Sequence, residues 1–348
     1  MRILFVHPAI EISISDVARG YRSALERVGY DVRDYFMGKR MEYHRQALPE
    51  AVREDQALLS RQASENILNE ALYHKSDLVL IVSGLNVHPI ALWLLGQVGI
   101  PAAAIFTESP YDDESQRRWA DLSPVGAEVD ITIFTNDRFS AERFGWHFLP
   151  PAFDPSVHYP ADPRPDEACD VLMIGTGWRE RQAFLEAVNW TGIDLKLYGV
   201  WPTLTADSPL HRFHCPMVVD NTRIAAIYRS AKICINFHRR SVDALTPGPR
   251  AFELAACEAF QLSDPRPDLV SMFGSSIPTF DTPGNLEDLI RHYLAPEHDD
   301  ERWVLAAEAC SLVQGETFDR RVQEMVGVPD YGVGEVSAGS GRKETTLK

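Results

Sequence analysis

The sequence predicts an α/β protein built from two parallel-sheet, Rossmann-like halves in tandem. Apolar, strand-length runs alternate with helical segments through both halves of the chain. A proline-dense stretch separates the two alternations. The 348 residues exceed one ordinary core and suit two domains of roughly 150 residues each.

In the first half, residues 2–6 read as a β-rich run, and Ser15 is placed to cap a helix from Asp16 to Val28 that Gly29 ends. Residues 30–35 form a second candidate strand, and helical spacing runs from about Glu54 to His74. Asp77–Val82 is continuously apolar after its first residue, the pattern of a strand buried on both faces. Pro89–Val98 is a short apolar helix with proline at its start and Gly99 beyond its end. Residues 102–107 and 130–135 complete the set of strands.

Residues 151–168 are the proline-rich connector between a first domain over 1–150 and a second over 169–327. The second alternation opens with strand 170–174, a Gly175-Thr176-Gly177 turn and a helix to about Val188. Strand 195–198 ends at Gly199. Asp220 caps 221–230, strand 232–236 follows, and a helix over 250–259 leads to strand 260–263. Asn285 caps a helix to Leu294, a long helix fills 299–314, and Thr317 caps a last one to about Val326. The remaining residues, 328–348, lack periodicity and read as a flexible tail.

Composition excludes several classes. No apolar run approaches the ~20 residues of a membrane span, and the N-terminus reads as a core strand, not a signal peptide. The five cysteines have no C-x-x-C pair, which fits thiols in a reducing cytoplasm. A formal net charge of −16 disfavours bulk attraction to nucleic acid. Against that acidity, Arg239, Arg240 and Arg250 cluster in sequence, as in a pocket for a small anion; scattered surface ion pairs are the plainer alternative.

In open α/β sheets, ligands bind beyond the carboxyl ends of the strands. Gly175-Thr176-Gly177, followed by Arg179 and Arg181, allows close backbone approach and a helix N-terminus suited to an anion, though a tight strand-to-helix turn explains it equally. After Asn236 come Phe237 and His238, then a loop containing Thr246-Pro247-Gly248-Pro249, then Arg250 and Glu253 at a helix start. A guanidinium there can meet a diphosphate, and a carboxylate one turn on can accept from ribose hydroxyls. An intrahelical ion pair is the alternative reading.

The run Arg250-Ala-Phe-Glu253-Leu-Ala-Ala-Cys-Glu258-Ala-Phe-Gln-Leu-Ser-Asp264 resembles the donor-site helix of GT-B glycosyltransferases of the CgeB-like (spore maturation protein-like) group. Leu149 to Pro160, Gly175 with Arg179 or Arg181, Leu197-Tyr198-Gly199 with Trp201, Tyr228 to Asn236, and Thr107 to Asp112 match the same pattern. The resemblance runs to about residue 325. It implies two Rossmann-like domains facing across a cleft, with a nucleotide-sugar donor on the second. Glu253 would hold the ribose, and Arg250 with Gly175, Thr176 and Arg179 the diphosphate. Tyr198, Gly199, Asn236 and His238 would flank the nucleoside or sugar, with Thr246 and Gly248 in the adjoining loop. Two positions depart from the pattern: Leu245 stands where retaining members often carry a glutamate, and Glu258 where the helix usually ends in glycine.

The expected function is metal-independent glycosyl transfer, with no cofactor beyond the nucleotide-sugar substrate. A base would come from the first half, after a strand; His7, His88, Glu108 and Asp112 are the candidates. The acceptor is open among protein, glycoside, polysaccharide and modified nucleobase. A catalytically silent nucleotide-sugar-binding protein and a nucleotide-sugar epimerase remain as alternatives.

Overall fold

The computed structural model describes residues 1–9, 13–107, 131–217, 219–238 and 245–328. Glu108, Asp112, Arg239, Arg240 and the tail beyond Val328 lie outside them.

The first lobe is a six-stranded parallel sheet. Its strands are β1 (Arg2–His7), β2 (Asp31–Phe36), β3 (Leu78–Val82), β4 (Ala102–Phe106), β5 (Ile131–Thr135) and β6 (His147–Phe148), in the order β2-β1-β3-β4-β5-β6. Successive side chains point to opposite faces. Ile3 and Phe5 therefore join a core beneath α1 (Ser13–Val28), while Leu4 and Val6 join the core that includes Met37 and Met41 of α2 (Met37–Ala47), Leu59 and Ile67 of α3 (Gln56–His74) and Leu95 of α4 (Ile90–Gln97). Burial of β3 on both faces explains its unbroken Leu-Val-Leu-Ile-Val run. The helix α5 (Arg138–Phe144) is capped by Asp137, whose side chain accepts from the Ser140 N–H.

The second lobe is a five-stranded parallel sheet of β7 (Cys169–Ile174), β8 (Leu195–Tyr198), β9 (His214–Cys215), β10 (Ala231–Asn236) and β11 (Gln261–Ser263), in the order β11-β10-β7-β8-β9. Its helices are α6 (Arg179–Glu186), α7 (Asn221–Ser230), α8 (Pro249–Ala256), α9 (Pro267–Phe273), α10 (Pro283–Leu294) and α11 (Asp299–Val313). Again the strand residues divide by face, Val171 and Met173 into one core and Leu172 and Cys234 into another. All five cysteines are unpaired.

The last of the described helices, α12 (Phe318–Val326), crosses back to the first lobe. Phe318, Val322 and Met325 share a core with Ile3, Phe5 and Tyr21. Gly20 makes the docking possible, because a Cβ there would stand 2.3 Å from the Phe318 ring. Arg321, with a side chain only 1% exposed, fastens the helix to the connector by donating to the carbonyls of Pro150 (2.8 Å) and Pro151 (3.2 Å).

Two caps differ from the expected ones. α1 begins at Ser13, before the expected Ser15 cap, and Thr282, not Asn285, caps α10 by accepting the Asn285 N–H. In the latter, the extended backbone at Thr282 and proline at the next position set the start a turn earlier.

Candidate functional site

A small crevice at the carboxyl end of the first sheet is lined by Thr107 and Asn136 of the first lobe, by Pro150 and Pro151, and by Pro249, the first residue of α8, from the second. Polar contacts tie the lobes beside it. The Asn221 amide donates to Asp16 (2.9 Å), and Asp268 receives both Arg138 Nε from the first lobe (3.1 Å) and the Thr246 hydroxyl from the loop before α8 (2.9 Å).

On the second lobe, the exits of β7 and β8 interlock through glycines. Gly199 has φ +110°, and a Cβ there would stand 2.5 Å from the Gly175 carbonyl oxygen. Gly177 packs so closely on Trp201 that a Cβ would stand 2.2 Å from its ring. The Gly175 and Gly177 N–H groups donate to the carbonyls of Tyr198 (3.0 Å) and Val200 (2.9 Å). The sequence needs glycine here for backbone proximity.

Two guanidiniums converge on this turn. Arg250 Nη1 donates to the Ile174 carbonyl (3.1 Å) and the Tyr228 hydroxyl (2.7 Å), and its Nε pairs with Glu253 at 3.2 Å. Burial opposes its charge, but the Tyr228 oxygen and the Glu253 carboxylate outweigh it and make Arg250 more basic than usual. Arg181 Nη1 donates to the Thr176 carbonyl (2.5 Å), and Nη2 donates to that of Phe237. Burial, and then the Arg250 charge, pull Arg181 down to about 10. Arg181 and not Arg179 therefore reaches into the turn; Arg179, the first residue of α6, is exposed.

The other expected donor-site residues divide. His238 sits at the exit of β10, with its Nδ1 and its backbone N–H each 2.7 Å from one oxygen of Asp264 at the exit of β11. Gly248 is the N-cap of α8 and lies beside the His238 ring. Tyr198 is turned into the core, its hydroxyl donating to Glu167 (2.8 Å), so its contribution at the exit is backbone. Asn236 is buried and donates to the Ser263 hydroxyl (3.2 Å). Glu258 stands at the far end of α8 in the left-handed region, φ 53°, its carboxylate paired with Arg229 (3.3 Å). It is thus directed away from the Arg250 end. Leu245 lends its carbonyl to the Asp268 N–H (3.1 Å).

On the first lobe, His7 Nε2 is bonded to Asp34 (2.8 Å), which Arg22 grips through Nε (3.1 Å) and Nη2 (3.0 Å). His88 Nδ1 accepts the Ile90 N–H (3.1 Å), so that lone pair caps α4; burial, and then Arg61, lower its pKa.

His158 of the connector lies beneath the site, in the field of Glu253 and Arg250. It is 7% exposed, and burial is the main reason its pKa falls below 6.5. A histidine held neutral in the fold is protonated first in the unfolded chain. Its contribution is therefore full above the ordinary value and lost as pH falls through it toward the lower folded value. Thermal melts are expected to drop between about pH 7.5 and about pH 5.5, and His158→Gln to shrink that drop. An undiminished drop would remove His158 as a cause.

Residues 179–327 match a family model described as glycosyl transferase-like. No curated protein matches the chain. Among solved structures, the chain is similar to sucrose-phosphate synthase from Thermosynechococcus elongatus, at 12% identity and a TM-score of 0.66 over 94% of this chain and 97% of that one. It is also similar to a glycosyltransferase from Rickettsia africae (12%, 0.65, 93% and 96%) and to an alpha-glucosyltransferase in complex with UDP (13%, 0.63, 94% and 98%). The architecture is that of GT-B glycosyltransferases, two Rossmann-like lobes with parallel sheets. No described helix is long and apolar enough to cross a membrane.

Proposed function

We propose that this chain is a glycosyltransferase of the CgeB-like group that moves a sugar, of hexosyl or related type, from a nucleotide-diphosphate donor to an acceptor hydroxyl. The observation that carries the reading is the pair of guanidiniums, Arg181 and Arg250, converging on the glycine turn at the exit of β7. Each is largely occupied with neutral carbonyl or hydroxyl oxygens, and Glu253 is the carboxylate paired with Arg250. A diphosphate brings the missing negative charge.

The chemistry follows from that placement. As the glycosidic C–O bond lengthens, charge develops on the departing diphosphate, and the two arginines stabilise it without a metal. Glu253, about half a nanometre along the helix by one turn, takes the ribose hydroxyls. The acceptor enters from the first lobe, where Glu108, Asp112 and His88 are the proposed bases. The unpaired cysteines support a cytoplasmic setting.

Incubation with labelled nucleotide sugars tests the reading. Release or transfer of the sugar supports it. Isomerised donor would instead mark an epimerase, and binding without turnover a silent binding protein, for which Leu245 and Glu258 are the sequence features in favour.

A further inference from the structure

The His238 imidazole is 7% exposed, and its two nitrogens have opposite fates. Nδ1 lies 2.7 Å from Asp264, whose carboxylate only accepts, so Nδ1 is the donor. Nε2 is buried, and among the described residues it has no hydrogen-bond partner. A buried polar atom left unpaired costs stability, which is a reason to look for a ligand that completes it.

The surroundings say what kind of ligand. In the tautomer that carries its hydrogen on Nδ1, toward Asp264, the ring presents a lone pair at Nε2, and a lone pair needs an O–H or N–H donor. A diphosphate diester has none. The charged groups around the ring point the same way. Arg181 donates to the carbonyl of Phe237, the residue before His238, and Arg250 lies in the field of Arg181. Two cations already answer a diphosphate's two charges. Gly248 lies against this edge of the ring: a Cβ there would stand 3.5 Å from Cδ2 and 4.0 Å from Nε2.

We propose that Nε2 of His238 accepts a hydrogen bond from a hydroxyl of the sugar carried by the nucleotide, which makes His238 the residue that distinguishes a nucleotide sugar from the bare nucleotide. This rests on the function proposed above. It goes further in assigning the sugar, not the phosphates, to the Asp264–His238 pair.

Calorimetric titration with UDP, GDP, TDP and ADP, each alone and as its glucose ester, tests it. His238→Asn keeps an N–H for Asp264 and removes Nε2. Gly248→Ala suits a backbone at φ −73° and puts a methyl group beside Nε2 at ordinary contact distance, with the histidine intact. Both variants are expected to lower the affinity for the glucose ester by about tenfold while leaving that of the matching diphosphate within about twofold. Equal losses for ester and diphosphate would overturn the assignment and place His238 on the nucleotide that the two share. Unchanged affinity for both would overturn it as well. Failure of every nucleotide to bind the unaltered protein would instead remove the function itself, and this inference with it.

Discussion

Gly199→Ala is expected to destabilise the protein by roughly 3 kcal/mol or more. Two costs combine at this position. The backbone sits at φ +110°, outside the range an L side chain adopts without strain, and the new Cβ would fall 2.5 Å from a carbonyl oxygen of Gly175. That oxygen belongs to backbone held in turn by the Gly175 N–H to Tyr198 carbonyl bond, so neither partner yields easily. For a chain of this length the melting point should fall by about 4 °C or more. A shift within about 2 °C would mean that the two strand exits are not locked together as described.

Arg250→Ala is expected to weaken nucleotide-sugar binding about 30- to 700-fold, the range for truncating one member of a buried, charge-assisted contact. The substitution removes one of the two positive charges at the glycine turn and leaves Glu253 without its 3.2 Å partner, so an uncompensated carboxylate then faces the incoming diphosphate. Arg250→Lys restores the charge but not the planar fork that spans Ile174, Tyr228 and Glu253, and should recover only part of the affinity. Circular dichroism establishes that each variant is folded. Undiminished affinity in a folded Arg250→Ala protein would take Arg250 out of the site.

Much of this architecture is written in local chemistry. Asp220 and Thr317 cap α7 and α12 as expected, because an N-cap depends only on residues within one turn. The long apolar run of β3 is legible for a similar reason. The two-residue strands β6 and β9 carry no periodicity to read, and they are strands only because β5 and β8 stand beside them. The helices α2, α5 and α9 are not legible in the apolar pattern. α2 shows why: its Phe36 cap makes no side-chain bond, and its apolar residues Met37 and Met41 are few.

The site divides along the same line. Arg250, Glu253 and the glycine turn stand out in sequence because they follow strands and open helices. That Arg181 reaches the turn while Arg179 faces solvent depends on helical phase and on how Gly177 packs against Trp201. The Asp264–His238 pair joins residues 26 apart, and only the parallel pairing of β10 with β11 brings them together. The interlobe tie of Arg138 to Asp268 and the return of α12 to the first lobe are likewise products of chain reversal, without a local signature.

The central claim is that the mouth of the second sheet grips an activated sugar through its diphosphate. A thermal-shift series over UDP-, GDP-, TDP- and ADP-sugars tests it most directly, since a ligand that binds only the folded chain raises its melting point. One nucleotide series is expected to raise it by several degrees in the unaltered protein and to leave Arg250→Ala nearly unmoved. No shift with any of the four at millimolar concentration, or an equal shift in both proteins, would contradict the claim.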